Sequence, residues 1–431
     1  MLCLLLTTSY KIYMKRVITY GTFDLLHYGH IRLLERAKAL GDYLIVGVTT
    51  DDFDKLRGKI NVQQSLMERI EAVRNTGLAD EIIVEEYEGQ KIEDIKQYNI
   101  DIFAIGSDWK GKFDYLKEFC EVVYLERTQG VSSSEIRSER RQIKIRTDAE
   151  NGICQKFIRE SRYVNGVEIV KDAEDAVYIT SKPEKHYSEI KKLLIEKKSV
   201  ICESPITDDS KKCRELLTLA KEKNCILMDG IKTAYSTAYN RLLLLVKSGK
   251  IGKVVSIDAT CTSLKDMQNG YDLDNKWNSI SAWGPTALLP IFQILGVNYR
   301  KKSILTHYAD SSKNFDAFTK IEFIYEDAIA SIKVAKLAKA EGNLIITGTK
   351  GYVYVPAPWW KTDYFEIRYE QQEDNRKYFY QLDGEGIRNE IVLFSKSIER
   401  KRNMGNISEE ISVAICKVIE DFYLRKNLIE F

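Results

Sequence analysis

Residues 20–30 read Tyr20-Gly21-Thr22-Phe23-Asp24-Leu25-Leu26-His27-Tyr28-Gly29-His30. The stretch follows the β-branched run RVITY (16–20) and leads into HIRLLERAKALG (30–41). There Ile31, Leu34 and Ala37 share one helical face, and Gly41 is placed to end the helix. Strand, glycine-containing loop and helix form the repeating unit of a parallel α/β sheet. Such a sheet binds phosphates at the loop, because free N–H groups and the helix dipole both favour anions there. The chain has four histidines, and two of them, His27 and His30, fall within HYGH. Both imidazoles are placed near the helix start, where they can donate to phosphoryl oxygens whose charge grows in a transition state. Gly29 lets the backbone approach a ligand closely. A lone histidine is more often a satisfied core or surface group, which is the reading for His186 and His307; it suits the HYGH pair poorly.

Outward from this unit, short β-branched runs alternate with helical stretches up to about Glu126 (YLIVGVTT, EIIVEE, DIFAIGS, CEVVYLE), as in a parallel sheet with crossover helices. Charge density rises through SSSEIRSERRQIKIR, placing a linker near residues 138–146. A second α/β region follows, with EDAVYITS, KSVICES, SKKCRELLTLAKEKN and ILMDG. From Val254 the strands lengthen and become aromatic, which predicts a mostly antiparallel sheet. The expected fold class is α/β, in three domains: 14–140 with a Rossmann-like sheet, 141–252 with a truncated Rossmann-like sheet, and 253–431 as an α+β open sheet.

The chain has 431 residues, with 65 basic and 63 acidic side chains and a net charge of +2. The length implies more than one core, and the charge balance gives no footprint for nucleic acid or an anionic membrane. Eight cysteines without a C-x-x-C pair suggest reduced thiols and a cytoplasmic protein. No apolar run is long enough to span a bilayer. The start MLCLLLTTSYKIY lacks a basic n-region, so it reads as an upstream extension before Met14 more readily than as a signal peptide.

GTFDLLHYGH (21–30), together with GSDWKGKFD (106–114) and RTQGVSSSEIR (127–137), resembles the signature of the cytidylyltransferase family, most closely its glycerol 3-phosphate branch, from about Lys15 to Arg137. The resemblance implies an HxGH nucleotidyltransferase that joins CTP to a small polyol phosphate and releases pyrophosphate, with Mg²⁺ on the triphosphate and a homodimer as the assembly. It implies a nucleotide site of Thr22, Phe23, Asp24, Gly29, Asp108, Thr128, Gly130, Ser132, Ser133 and Ser134, and catalytic groups His27, His30, Lys59 and Arg127. Arg57 and Lys91 are implied to hold the acceptor. Arg57 stands where the family usually has lysine, and Gly77 where it commonly has arginine; Arg74, one turn earlier, is the candidate substitute. Ser132 with Glu135 reads as a capping box. No resident metal site is expected.

The remainder resembles the glucose-fructose oxidoreductase and inositol dehydrogenase family through DAVYITSKPEKHY, KSVICESPI, ILMDGIKTAY, LVKSGKIGKVVSID and GTKGYVYVPAPWW. Departures from that family are specific. After QIKIRT the chain reads DAENGICQKFI, with Gly152 alone where a pyrophosphate turn needs several glycines. The interval between VEIV and DAVYIT is too short for the usual second strand, helix and third strand. Ser204 replaces the family's lysine in Glu203-Ser204-Pro205, and Leu289, Pro290 and Ile291 stand where its aspartate and histidine pair belongs. These losses predict a region that does not use NAD(P) and serves as an oligomerisation or docking module, with Trp359 and Trp360 suited either to an interface or to core packing. The rival readings are a bifunctional enzyme with a working NAD(P)-dependent oxidoreductase half, and a non-catalytic sugar-phosphate scaffold.

Overall fold

The computed structural model describes residues 14–57, 59, 61–87, 89–126, 142–147, 151–264, 277–380 and 382–431. The chain forms two compact units, Met1–Arg140 and Arg141–Phe431.

The first unit is a five-stranded parallel sheet of β1 (Arg16–Gly21), β2 (Tyr43–Thr49), β3 (Glu81–Glu85), β4 (Ile102–Gly106) and β5 (Glu121–Leu125), in the order β3-β2-β1-β4-β5. Alternation along β1 builds a core on each face. Val17 packs with Leu34 and Ala37 of α1 (Tyr28–Lys38) and with Ile70 and Val73 of α3 (Leu66–Arg74). Ile18 and Tyr20 face the other way, onto Ile95 of α4 (Gln90–Gln97) and Leu116. A short α2 (Asp51–Leu56) follows β2. The sheet order reverses at β1, whose neighbours are β2 and β4, and an open α/β sheet of this kind places its ligand crevice at the carboxyl ends beside that point.

Gly41 does not cap α1, which ends at Lys38 with Ala39 as C-cap. It is glycine for a different reason: a Cβ there would sit 2.6 Å from the Lys15 carbonyl oxygen. A capping box forms in this unit at Ser65 and Glu68, opening α3; the one read at Ser132 and Glu135 lies outside the described residues.

The second unit holds two sheets. One is parallel, from β6 (Ile143–Thr147), β7 (Val167–Val170), β8 (Ala176–Ile179), β9 (Ser199–Glu203) and β10 (Leu227–Gly230), in the order β10-β9-β8-β6-β7. The expected linker at 138–146 therefore runs into β6. VEIV is itself the second strand, paired parallel with β6, and the chain passes from it to β8 with no helix or third strand between. The other sheet has nine strands: β11 (Val254–Thr262), β12 (Lys301–Asp310), β13 (Phe315–Ile324), β14 (Ile329–Ala335), β15 (Leu344–Gly348), β16 (Tyr352–Val355), β17 (Tyr364–Arg368), β18 (Arg376–Phe379) and β19 (Leu428–Glu430). Its pairings are antiparallel apart from β11 with β14 and β12 with β19. Trp359 and Trp360 are buried within this unit, and the Trp359 indole donates to the Thr260 carbonyl at 3.1 Å. The pair is core and not a surface anchor.

Among the described residues no helix is long and apolar enough to cross a membrane. The described cysteines are free thiols.

Candidate active site

The loop from β1 to α1 begins with close packing. Gly21 has the Phe23 ring 2.9 Å from where a Cβ would stand, and Phe23 and Leu25 take left-handed backbone, φ +53° and +50°. Bulky residues hold that conformation only where their surroundings over-determine it. Here Phe23 is buried with its ring 5.5 Å from the His30 ring. The His27 and His30 rings stack with centroids 3.9 Å apart. His27 is the N-cap of α1, its Nδ1 accepting from the Gly29 N–H at 3.1 Å. A neutral His27 therefore carries its proton on Nε2, which leaves that atom as a donor. The same bond is the observed role of Gly29, which sits inside the first turn of α1.

A polar cluster surrounds the strand ends. Thr22 Oγ1 donates to Asp54 Oδ1 at 2.8 Å and accepts from Lys59 Nζ at 2.9 Å. Arg57 donates to Asp54 Oδ1 at 2.9 Å and to Thr49 Oγ1 at 3.1 Å, and lies 4.0 Å from Glu85. Lys91, buried at the start of α4, pairs with Glu85 and stands 4.5 Å from the centroid of the Tyr20 ring. Burial pushes the Asp54 carboxyl up against the opposing pull of Lys59, Thr22 and Arg57. Burial likewise pushes the Lys91 ammonium down, offset in part by Glu85. Arg57, Lys59, Lys91 and Arg69 thus gather at these strand ends with Asp51, Asp54, Glu85 and Asp94 as their carboxylate partners.

Asp24 is buried, and its Oδ1 accepts from the Gln63 and Gln64 amides, each at 2.9 Å. The Leu25 N–H donates to Gln64 Oε1 at 2.7 Å. These bonds fasten the 61–64 segment, next to Lys59, to the histidine loop. Asp108 is exposed in the turn Ser107–Trp109 after β4. The structure thus brings Thr22, Phe23, Asp24, His27, Gly29, His30, Arg57, Lys59 and Lys91 to the carboxyl ends of β1 to β3, with Asp108 at the end of β4. Arg127, Thr128, Gly130, Ser132, Ser133 and Ser134 lie outside the described residues.

Arg69 is the residue that sequence reading missed. It is fully buried, donates from one nitrogen to the Thr22 and Thr49 carbonyls at 2.7 and 2.8 Å, and pairs with Asp51. Its signal was available: Leu66, Arg69, Ile70 and Val73 follow the i, i+3, i+4, i+7 stripe, so an arginine stands in the apolar face of α3. Arg74 instead pairs with Glu71 on the helix surface, and Gly77 adopts φ +67° with open space around it. The buried guanidinium at the site belongs to Arg69, not Arg74.

Residues 18–139 match the cytidylyltransferase-like family profile, and 139–231 match the oxidoreductase family with an NAD-binding Rossmann fold. The chain is 55% identical over 126 residues to the glycerol-3-phosphate cytidylyltransferase of Bacillus spizizenii, covering 29% of this chain and 97% of that protein. It is 48% identical over 130 residues to the Staphylococcus aureus protein of the same name, covering 29% and 95%. In fold it is similar to a 3-ketoreductase from Actinomadura kijaniata in complex with NADP, at TM-score 0.55 and 14% identity, over 67% of this chain and 99% of that one. It is also similar to an oxidoreductase from Agrobacterium radiobacter in complex with NAD+, L-tartaric acid and magnesium, at TM-score 0.55 and 13% identity, over 66% and 96%.

Proposed function

The chain belongs to the cytidylyltransferase-like family, and we propose that its first unit joins CTP to glycerol 3-phosphate, giving CDP-glycerol and pyrophosphate. The observation that carries this reading is the stacked His27 and His30 pair at the end of β1, beside the cationic cluster of Arg57, Lys59 and Lys91. An acceptor phosphate oxygen attacks the α-phosphorus, the bond from that phosphorus to the β-phosphate bridging oxygen breaks, and pyrophosphate leaves. The acceptor is already a dianion, so no general base is required. His27 Nε2 and the His30 imidazole donate to the α-phosphoryl oxygens as charge builds. Lys59, held by Thr22, and Arg57, held by Asp54, neutralise phosphate charge. Lys91 sits deeper, poised on Glu85 to hold the acceptor. Asp24 acts through the segment beside Lys59, and Arg69 through the carbonyls of Thr22 and Thr49, so both are positioning residues.

Among the described residues there is no cluster of three His, Cys, Asp or Glu side chains suited to a metal. In this reading magnesium enters with the triphosphate, as Mg²⁺ commonly does. It would offset the charge of the departing pyrophosphate. Arg127, Thr128, Gly130 and Ser132 to Ser134 complete the nucleotide site in this reading, and a homodimer is the proposed assembly.

For the second unit we infer an oxidoreductase fold that does not turn over NAD(P). Gly152 is the only glycine between β6 and the end of the following helix, Ser204 takes the family lysine's place, and the third strand is missing. The second reading, a working oxidoreductase half that interconverts a polyol and its carbonyl form, rests on the matched NAD-binding family. On the leading reading residues 141–252 and 253–431 are the two halves of this fold.

The test is pyrophosphate release from CTP and Mg²⁺ across glycerol, choline, ethanolamine and pentitol phosphates, with ATP as the nucleotide control and NADPH consumption followed in parallel. CTP-dependent release with glycerol 3-phosphate is expected. Release with another acceptor alone reassigns the substrate, and silence across the panel removes the assignment.

A further inference from the structure

Three lysines remote in sequence converge on one carboxylate in the second unit. Lys156 projects from the helix Gly152–Ser161, Lys232 opens the turn Lys232–Tyr235 after β10, and Lys361 ends the turn Trp359–Lys361. Lys156 Nζ lies 3.0 and 3.1 Å from the two Glu385 oxygens, Lys361 Nζ lies 3.0 Å from Oε1, and Lys232 bonds Oε2.

The scaffold is built for this convergence. Gly384, Glu385 and Gly386 are successive left-handed residues, φ +61°, +54° and +93°, and a Cβ at Gly386 would stand 2.1 Å from the Lys232 carbonyl oxygen. An acidic side chain is thus held in backbone it does not favour. Thr233 Oγ1 donates to the Trp360 carbonyl at 3.0 Å, tying the turn of Lys232 to that of Lys361.

Charge and donors exceed what Glu385 can satisfy. Three ammonium groups offer about nine N–H donors, whereas one carboxylate accepts about four. The other carboxylates acting on Lys232 are Glu203 and Glu390, and burial pushes Glu203 up to about 7 and Glu390 well above its usual range. Burial thus works against the charged form of both. The lysines stay within reach of solvent, with side chains 33%, 22% and 35% exposed for Lys156, Lys232 and Lys361. Lys232 stands just past the carboxyl end of β10, and Glu203 ends β9, which is the edge where parallel sheets take phosphates.

We propose that Lys156, Lys232 and Lys361 form a binding site for a phosphoryl anion, with Glu385 as the internal counter-ion that holds the three side chains together. The phosphoryl group comes either from a small free phosphate compound or from a dinucleotide; the chemistry at the lysines is the same. The site is separate from the cytidylyl chemistry and stands or falls independently of it.

Acetylation footprinting of the full chain with the uncharged reagent N-hydroxysuccinimidyl acetate, read per lysine by peptide mass spectrometry, localises the effect. Inorganic pyrophosphate, glycerol 3-phosphate and NADP+ are added separately at ionic strength matched with sodium chloride. Several-fold protection of Lys156, Lys232 and Lys361, measured against the exposed Lys247 and Lys350 as internal controls, is expected with at least one anion. Protection by pyrophosphate or glycerol 3-phosphate assigns a free phosphate compound, and protection by NADP+ alone assigns the dinucleotide. If Lys156, Lys232 and Lys361 react no more slowly relative to Lys247 and Lys350 with any of the three anions, the site is overturned. In a folded Glu385→Gln chain the same protection is reached at several-fold lower anion concentration, because a competing carboxylate is gone; protection that needs as much anion or more overturns the counter-ion role.

Discussion

At the level of single side chains, His27 carries two duties that substitution can separate. Asparagine caps a helix about as well as any residue, whereas alanine costs about 1 kcal/mol of helix stability. His27→Asn is expected to leave thermal stability near that of the parent and remove turnover, while His27→Ala lowers both; equal turnover in parent and His27→Asn would free the imidazole of its proposed role. His30→Ala is expected to cut the rate constant for transfer on the order of 10³-fold with the far-ultraviolet circular dichroism unchanged. Arg69 belongs to a different class. Its loss leaves the buried Thr22 and Thr49 carbonyls without their donor and Asp51 without its ion-pair partner, while Asp54 keeps Arg57. Arg69→Met should therefore destabilise the first unit by about 2 kcal/mol or more, read from the urea midpoint, and reduce transfer along with it. HYGH was legible because two histidines in four residues are hard to explain as packing. Arg69 left only a weaker mark, its place in the apolar stripe of α3, because a lone arginine ordinarily reads as a solvated charge until the helix face it occupies is known to be buried.

For the strands and helices, short β-branched runs alternating with helical stretches pointed to a parallel sheet, and the order β3-β2-β1-β4-β5 places the histidine loop beside its reversal. The geometry of that loop depends on Gly21, whose missing Cβ makes room for the Phe23 ring. Gly21→Ala is expected to displace Phe23 from His30 and to lower kcat at least tenfold with a smaller change in KM; a variant with parental kcat would show that Phe23 does not position the imidazole. Gly41 illustrates the opposite outcome. The residue type suggested a helix stop, whereas its requirement is the close approach of the Lys15 carbonyl, a contact between segments remote in sequence. The interval after VEIV read as too short for a second strand, helix and third strand, and only the pairing of VEIV with β6 shows that the sheet keeps its second strand and lacks its third.

Across the whole molecule, the two units make separate predictions. The first has its own two-sided core, so the fragment Met14 to Arg140 is expected to fold and to release pyrophosphate from CTP; an insoluble fragment would indicate that the second unit is needed for its stability. In the second unit, burial raises Glu203 from 4.5 to about 7, against the hydrogen bond from Tyr178 and the charge of Lys232. A carboxyl raised on folding adds stability that is fully present below its unfolded value and lost as pH rises through its folded value. The loss falls between about pH 4.5 and 7, on the order of 3 kcal/mol. Glu203→Gln keeps an acceptor for Tyr178 and removes the titration. Its melting transition should therefore fall less than that of the parent between pH 5 and pH 8; parallel curves would mean that Glu203 is not the group responsible. By itself the sequence determined the α/β class, the division near residue 140, and the histidine motif that marks the transferase family, because periodicity and a concentrated motif are local properties of the chain. Only the tertiary structure decided that Arg69 clamps two strand ends, that Trp359 and Trp360 are core, and that Lys156, Lys232 and Lys361 meet on Glu385. Each of these is a contact between residues far apart in sequence, whose burial and charge balance exist only once the segments are packed together.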